Sequence, residues 1–268
     1  MKEDHMLNGQ LKPAYNVQIA VENYFIVHSY VSNDRTDYNT LIPVLEKHKE
    51  AFGEVLEEVT ADSGYCSEKN LLYLKENKID SYIKLQDHEK RKTRAYSKDI
   101  GKYYNMKTMV FEDEQVYICH DGRELRHINT EKKKQNGYTQ TYEVYGCLDC
   151  SGCEHKSKCL YKYNPDKDVD KNKVMKINEV WEELREKSHA NIQSEKGILK
   201  LQIRSIQTEG HFGDIKENED FRRFNYRSSD KVYKEFMLFA IGRNINKYHR
   251  FLCAKLKKFE GKLQEKTA

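Results

Sequence analysis

The chain has 268 residues, 34% of them charged and 38% hydrophobic, a length that allows one large domain or two small ones. Its 19 Tyr and 10 Phe residues argue against disorder, because aromatic side chains can supply a core. The formal net charge of +4 neither proves nor excludes a nucleic-acid partner, since the clustering of charge matters more than its sum.

Alternating apolar residues predict a β-hairpin near the N-terminus. One strand spans about residues 15–21 and its partner about residues 25–31. A helix from about residue 36 to 48 should follow, because Asn33 or Asp34 can cap its start. The chain therefore opens with an α/β pattern.

An acidic residue stands at the end of the next predicted strand. Residues 55–61 read as this strand, Asp62 closes it, and a Ser-Gly turn leads to a helix that begins at Ser67. Residues 82–85 then predict a short strand. An Asp at a strand end beside a Gly turn is well placed to hold a hydrated cation.

Residues 86–175 interrupt this alternation of strands and helices. Short strands at residues 116–119 and 125–128 flank Asp121-Gly122, which is a strong hairpin signal. A further strand is predicted at residues 138–145. The segment therefore reads as a small β-rich insertion.

Four of the seven Cys residues crowd together at the end of this insertion. No apolar run is long enough to span a membrane and no signal peptide is present, so we expect a cytoplasmic, reducing compartment. Clustered Cys residues in such a compartment indicate metal binding before disulfides. The four are separated by two, two and five residues: Cys147, Cys150, Cys153 and Cys159.

Structural Zn²⁺ is the first interpretation of this cluster, because four thiolates can surround one tetrahedral ion. An iron–sulfur cluster and free thiols in a small β module are the alternatives. Cys119 and His155 are spare candidate ligands. In each case we expect the role to be structural and not catalytic.

A long helical region from about residue 178 to 216 follows a charged linker. Apolar residues recur on one predicted face of it and should be buried: Leu199, Ile203 and Ile206. Glu209 and Lys216 lie seven residues apart, so an α-helix would place them on one face. Gly210 and Gly213 disfavour a helix interior, which suggests the close approach of something bulky.

An aromatic and basic segment connects this region to the last helix. We expect Phe221 and Phe224 to be core residues, and Arg222 or Arg223 to contact phosphate. The last helix should span about residues 230–258, and its C-terminal end is basic. In a DNA enzyme, these basic side chains are as consistent with binding phosphate as with a solvent-exposed surface.

Five stretches of the chain together carry a resemblance to a known family: KPAYNVQIAV, TADSGY, TEGHFGDIK, FRRFNYR and IGRNINKY. They resemble the RNase-H-like, DDE-class transposases of bacterial insertion sequences, in the branch with a Cys-containing insertion. The resemblance implies an α/β fold: a mixed sheet with flanking helices that lacks its first strand, plus the β-rich insertion. The catalytic core would comprise residues 12–85 and 176–260, interrupted by residues 86–175.

The same resemblance implies roles for individual residues. Asp62 would be the second acid and Glu209 the third acid of a site that binds Mg²⁺ or Mn²⁺. Lys216 would contact DNA phosphate. Arg204 would do the work of a family Arg whose position here is Ser205, one residue later. The first acid lies on the absent first strand, so no residue here takes its role.

The function implied is metal-dependent DNA strand cleavage and transfer in transposition. The partners would be insertion-sequence ends and target DNA, with a homo-oligomer on DNA and no membrane. The location would be the bacterial cytoplasm, with the nucleoid when DNA is bound. Because the first acid is absent, we expect an inactive or partial fragment. The alternatives are a non-catalytic, zinc-containing DNA-binding remnant and a metal-dependent nuclease of the same fold.

Overall fold

The chain forms two compact units of mixed α/β structure. The computed structural model describes residues 2–3, 9–12, 14–111, 114–135, 137–219, 221 and 223–267. Unit 1 comprises Met1–Ile83 together with Asn191–Ala268, and unit 2 comprises Lys84–Ala190.

Unit 1 begins with two antiparallel strand pairs. Strands β1 (Lys2–Glu3) and β2 (Leu11–Lys12) form the first pair. Strands β3 (Asn16–Glu22) and β4 (Phe25–Ser32) form the predicted hairpin. Its two turn residues, at positions 23 and 24, both have positive φ, as a tight two-residue hairpin turn requires.

A helix and a parallel β-α-β element follow the hairpin. Helix α1 (Leu41–Phe52) begins later than predicted, because a 3₁₀ turn at Asp37–Asn39 precedes it. The β-α-β element consists of strand β5 (Glu58–Ala61), helix α2 (Glu68–Glu76) and strand β6 (Asp80–Ile83). The Ser67 hydroxyl caps α2, as predicted.

The strands of the β-hairpin and of the β-α-β element remain separate pairs. Strands β3 and β4 pair only with each other, and β5 pairs in parallel with β6, in the part of the chain that the structure describes. No described strand joins the two pairs into the single mixed sheet that the sequence predicts.

Unit 2 is built on a five-stranded antiparallel sheet. Helices α3 (His88–Arg91) and α4 (Arg94–Ser97) precede it. Its strands are β7 (Lys107–Phe111), β8 (Glu114–Ile118), β9 (Glu124–Gln135), β10 (Tyr138–Cys147) and β11 (Val174–Ile177). The short helix α5 (Lys156–Cys159) lies between β10 and β11 in the sequence. The strands have the order β11-β10-β9-β8-β7 in the sheet.

Two boundaries in this unit differ from those predicted. Strand β9 extends to Gln135, well beyond residue 128, because its polar second half lies in a two-stranded ribbon that needs no apolar face. The unit also continues past residue 175, since β11 pairs with β10 and Ala190 is its last residue.

The C-terminal part of the chain is helical. It begins with helices α6 (Glu179–Gln193) and α7 (Glu195–Arg204), which are separated by a break at Ser194. These are followed by a π-helical segment (Ser205–Glu209), helix α8 (Gly210–Gly213), a second π-helical segment (Asp214–Asn218) and the long helix α9 (Ser229–Thr267).

Gly197 is required at the break between α6 and α7. A Cβ atom there would lie 2.0 Å from the carbonyl oxygen of Asn191 and 2.7 Å from the Cα atom of Ile192. Only Gly allows the two helices to approach this closely. The break therefore has a steric cause.

The core of unit 1 forms where α9 packs on the hairpin. Ile26, Ile215, Phe236 and Ala240 are buried together. Phe221 and Phe224 pack against them, which confirms that these two aromatic residues belong to the core.

The predicted buried stripe of the Glu-bearing region is wrong. Leu199, Ile203 and Ile206 are 55%, 38% and 63% exposed. Helix α7 turns a different face toward β5, the one that carries Lys196 and Lys200, because those side chains bind a carboxylate on that strand. Electrostatic pairing and not apolar burial therefore orients this helix.

Candidate active site

Asp62 projects from the turn that follows β5. It caps the 3₁₀ turn Ser63–Tyr65, and its Oδ1 atom accepts a hydrogen bond of 2.7 Å from the backbone N–H of Ser63. Its side chain is 57% exposed. One carboxylate oxygen is thus held in place while the group remains accessible.

Glu209 lies at the end of the first π-helical segment. Its Oε2 atom accepts a hydrogen bond of 3.0 Å from the hydroxyl of Ser205, and its side chain is 61% exposed. π-Helical turns are rare and occur often at functional sites. The carboxylate is therefore oriented by its own segment and open to solvent.

The guanidinium of Arg204 joins the two acids. Its Nη1 atom lies 3.1 Å from Glu209 Oε1 and its Nη2 atom lies 3.6 Å from Asp62 Oδ2. The Arg204 side chain is only 18% exposed. The fold thus brings two carboxylates, 147 positions apart in the sequence, to opposite sides of one positive charge.

An ion-pair network ties α7 to β5 and so helps to place these groups. Glu58 on β5 binds Lys196 at 2.7 Å and also binds Lys200. Hydrogen bonds from Lys196 and then Lys200 lower the pKa of Glu58, although partial burial opposes this. Lys196, Lys200 and Arg204 are spaced by four residues and so share one face of the helix.

A polar network next to Asp62 was not recognised in the sequence. The Oδ1 atom of Asp37 accepts hydrogen bonds of 2.8 Å from the side-chain amides of Asn16 and Gln18. The hydroxyl of Tyr65 donates to Gln18. Burial, followed by the charge of Asp37, raises the pKa of Tyr65. Asn16 and Gln18, two residues apart on β3, were the signal that could have indicated this network.

Gly64 allows the carboxylate of Asp37 to approach the turn after Asp62. A Cβ atom at Gly64 would lie 2.9 Å from Asp37 Oδ2. Asp37 therefore packs against the segment that carries Asp62.

The two glycines beside Glu209 face open space. Apart from the adjacent residues and the backbone of the same helix, no atom in the described part of the chain lies within 4 Å of a Cβ atom built at Gly210 or Gly213. The bulky neighbour that the sequence predicts is thus not supplied by these residues of the chain. It remains a prediction about an external molecule.

Lys216 lies in the second π-helical segment and is exposed, with its Nζ atom 5.9 Å from the ring centre of Phe212. Lys216 and Glu209 would share a face only in a regular α-helix, and the π-helical segments change that spacing. Arg223 is exposed, and Arg222 lies outside the described residues. Phosphate contact by these three residues stays a prediction.

The Cys cluster lies in unit 2. A small cavity of about 20 Å³ is lined by Cys119 and by the four clustered residues Cys147, Cys150, Cys153 and Cys159, which is room for one ion-sized occupant. The backbone N–H of Lys173 donates to Cys150 Sγ at 3.3 Å. Burial raises the pKa of the Cys147 thiol to about 11. His155 does not line this cavity and instead packs its ring on His120.

The geometry by itself defines no metal centre. Among the described residues, no three or more His, Cys, Asp or Glu side chains are grouped so that they could hold an ion. The acid pair supplies two carboxylates, and the five Cys side chains surround one cavity without such a grouping.

No described helix is long and apolar enough to cross a membrane. Neither a curated protein nor a solved structure matches the chain. A family model described as "Transposase DDE domain" matches residues 118–249, a range that includes the Cys cluster, Arg204, Glu209 and Lys216 but not Asp62. This match identifies residues 118–249 as a domain of the DDE-class transposase family.

Proposed function

We propose that Asp62 and Glu209 are two of the carboxylates that bind divalent metal for DNA strand cleavage and transfer. The observation that carries this proposal is the position of Arg204, whose guanidinium contacts both acids. Two exposed carboxylates around one cationic group form a place where Mg²⁺ or Mn²⁺ can replace that group, because these ions prefer oxygen ligands. DNA is the substrate that the family implies.

The protein groups have separate tasks in this proposal. When bound, divalent ions would stabilise the attacking and leaving oxygens at the phosphorus. The Ser63 N–H and the Ser205 hydroxyl hold Asp62 and Glu209 in position. Arg204, released from the acids, would turn to a DNA phosphate.

The space beside Glu209 completes this arrangement. The open side of Gly210 and Gly213 leaves room for the DNA backbone next to the carboxylate. Lys216, Arg222 and Arg223 are further candidates for phosphate contact. Insertion-sequence ends and target DNA would be the duplexes bound, by a homo-oligomer associated with the bacterial nucleoid.

A third carboxylate is needed and the described residues do not supply it. Asp37 is the nearest candidate by its contacts, but one of its carboxylate oxygens already accepts hydrogen bonds from two amides. We therefore expect this chain on its own to bind metal and DNA but to cleave DNA poorly.

Metal binding tests the site without relying on activity. Mn²⁺ titrated into the purified chain should bind, and Asp62→Asn and Glu209→Gln should each weaken binding at least tenfold. Glu76→Gln, an exposed acid on α2, is the control and should leave binding unchanged. Mn²⁺ affinity that is unaffected by both site variants would overturn the assignment.

DNA assays separate the transposase proposal from its alternatives. Joining of a labelled element end to a target duplex would support transposition. Duplex binding with no metal binding at Asp62 and Glu209 would identify a non-catalytic remnant. Hydrolysis without joining would identify a nuclease. Sedimentation with and without duplex would measure the oligomeric state.

We further propose that four of the five clustered cysteines hold structural zinc. The support is the small shared cavity and the N–H group directed at Cys150, which resembles the environment of a metal-bound thiolate. The reduced protein should contain about one zinc per chain. Cys147→Ser and Cys150→Ser should lose it, whereas Cys253→Ser should not. Reduced protein free of zinc would overturn this proposal, and a visible absorption band would identify an iron–sulfur cluster.

A further inference from the structure

Strands β9 and β10 continue beyond their neighbours as a two-stranded arm. Strand β8 pairs with β9 only at Glu124 and Leu125, and β11 pairs with β10 only at residues 143–146. Residues 131–135 and 138–142 pair only with each other in the described sheet. These residues form the arm, which extends about 16 Å at roughly 3.3 Å per residue.

The charge of the arm lies at its far end. Lys132, Lys133 and Lys134 are exposed, and no acidic residue occurs from position 132 to 142. None of the three ammonium groups forms a salt bridge with any residue in the described ranges. The arm therefore presents three uncompensated positive charges.

The acidic residues at the base of the arm already have partners. Glu131 pairs with Lys176 at 2.5 Å. Glu143 lies 2.7 Å from His127 and also accepts a hydrogen bond from Thr130. These pairings leave the positive potential concentrated on the part of the arm that is farthest from the sheet.

The register places hydrogen-bonding groups beside the lysines on both faces. Lys132 lies opposite Thr141 and Lys134 opposite Thr139, so these four residues share one face. Lys133 lies opposite Gln140 on the other face. Tyr138 and Tyr142 share that face, because every second residue of β10 points to the same side. A contact surface of this composition suits an anionic, polar partner.

We infer that this arm enters the major groove of duplex DNA. The inference rests on the proposed function and deepens it, because it names where the insertion contacts the substrate. A two-stranded ribbon with its side chains is about 10 Å thick, and the major groove is about 12 Å wide and admits such a ribbon. Three lysines near the groove walls meet phosphates, and the Thr, Gln and Tyr side chains meet base edges.

Exposed lysines also occur on hairpins simply to prevent edge-to-edge pairing. The salt dependence of DNA binding separates the two roles, because each phosphate contact contributes about −0.9 to the slope of log affinity against log salt. Lysines that only prevent aggregation leave this slope unchanged.

The test is the full chain with Lys132→Gln, Lys133→Gln and Lys134→Gln combined, titrated with a duplex oligonucleotide at several salt concentrations. We expect the slope to become shallower by about 2 to 3 and the affinity near 0.15 M salt to fall at least tenfold. The control combines Lys158→Gln, Lys162→Gln and Lys167→Gln, which remove the same charge from exposed positions outside the arm in the same unit.

Equal slopes for the arm variant and the control variant would overturn the inference. So would tighter binding of a single-stranded oligonucleotide than of the duplex. If the triple variant does not fold by circular dichroism, Lys133→Gln alone replaces it, with an expected slope change of about 1.

Failure of this inference is distinguishable from failure of the proposed function. Glu209→Gln should lose Mn²⁺ affinity while its salt slope stays that of the unaltered chain. If this holds and the arm variant behaves as its control does, the arm inference is wrong and the proposed function stands. If the unaltered chain binds no duplex, both are wrong.

Discussion

Replacing Arg204 by Gln tests whether its guanidinium occupies the place of a metal ion. The group contacts Glu209 at 3.1 Å and Asp62 at 3.6 Å. Divalent metal must displace it before both acids can bind the ion. We therefore expect Arg204→Gln to bind Mn²⁺ more tightly than the unaltered chain. The same variant would lose one candidate contact to a DNA phosphate.

The size of the effect follows from exposure. Two unit charges about 4 Å apart interact by about 1 kcal/mol in bulk water. Both acids are more than half exposed, so each contact is worth about 0.5 to 1 kcal/mol. Removing both contacts should strengthen Mn²⁺ binding by about 5- to 30-fold, since 1.4 kcal/mol corresponds to a factor of ten.

Calorimetric titration with Mn²⁺ measures this change directly. Arg250→Gln is the control, because it removes the same charge from an exposed position on α9 and should not alter the affinity. Weaker or unchanged Mn²⁺ binding in Arg204→Gln would refute the reasoning. It would mean that Arg204 organises the acids and does not compete with the metal.

Further predictions concern the groups that position the site. Gly197→Ala should lower the free energy of unfolding in urea by about 3 kcal/mol or more, because its Cβ atom would lie 2.0 Å from a backbone oxygen. Gly210→Ala, with open space around it, should instead raise that energy by about 0.5 to 1 kcal/mol yet weaken duplex binding; unchanged binding would show that DNA does not need the space. The pKa of Glu58 is lowered in the folded state, so its carboxylate stabilises the fold above about pH 4.5 and this contribution is lost as the pH falls through the lowered pKa. Urea unfolding of Glu58→Gln and of the unaltered chain should therefore differ at pH 7, and the difference should shrink as the pH falls below about 4.5; a difference that stays constant would contradict this.

Local patterns in the sequence were informative where one segment determines its own structure. The alternation from residue 16 to 32 produces the hairpin, the Ser67 hydroxyl caps α2, and the crowded Cys residues line one cavity. The polar end of β9 escaped prediction, because a ribbon exposed on both faces needs no apolar alternation.

The candidate site shows the limit of such reasoning. Residue type and local context singled out Asp62 and Glu209 separately, and the resemblance assigned them to one site. That Arg204 contacts both, and that Asp37 packs against the turn after Asp62, depends on groups far apart in the chain. No periodicity or spacing contains this information.

The sequence by itself determined the family, the β-rich character of the insertion and the residue types that can bind metal. Only the tertiary structure decided which face of α7 turns inward. Apolar spacing favoured the face with Leu199 and Ile203, but the lysines on the other face bind Glu58 on β5 and leave that apolar stripe in solvent. The physical reason is that a helix is oriented by the partner it meets, and a partner on a distant strand is not visible in local sequence.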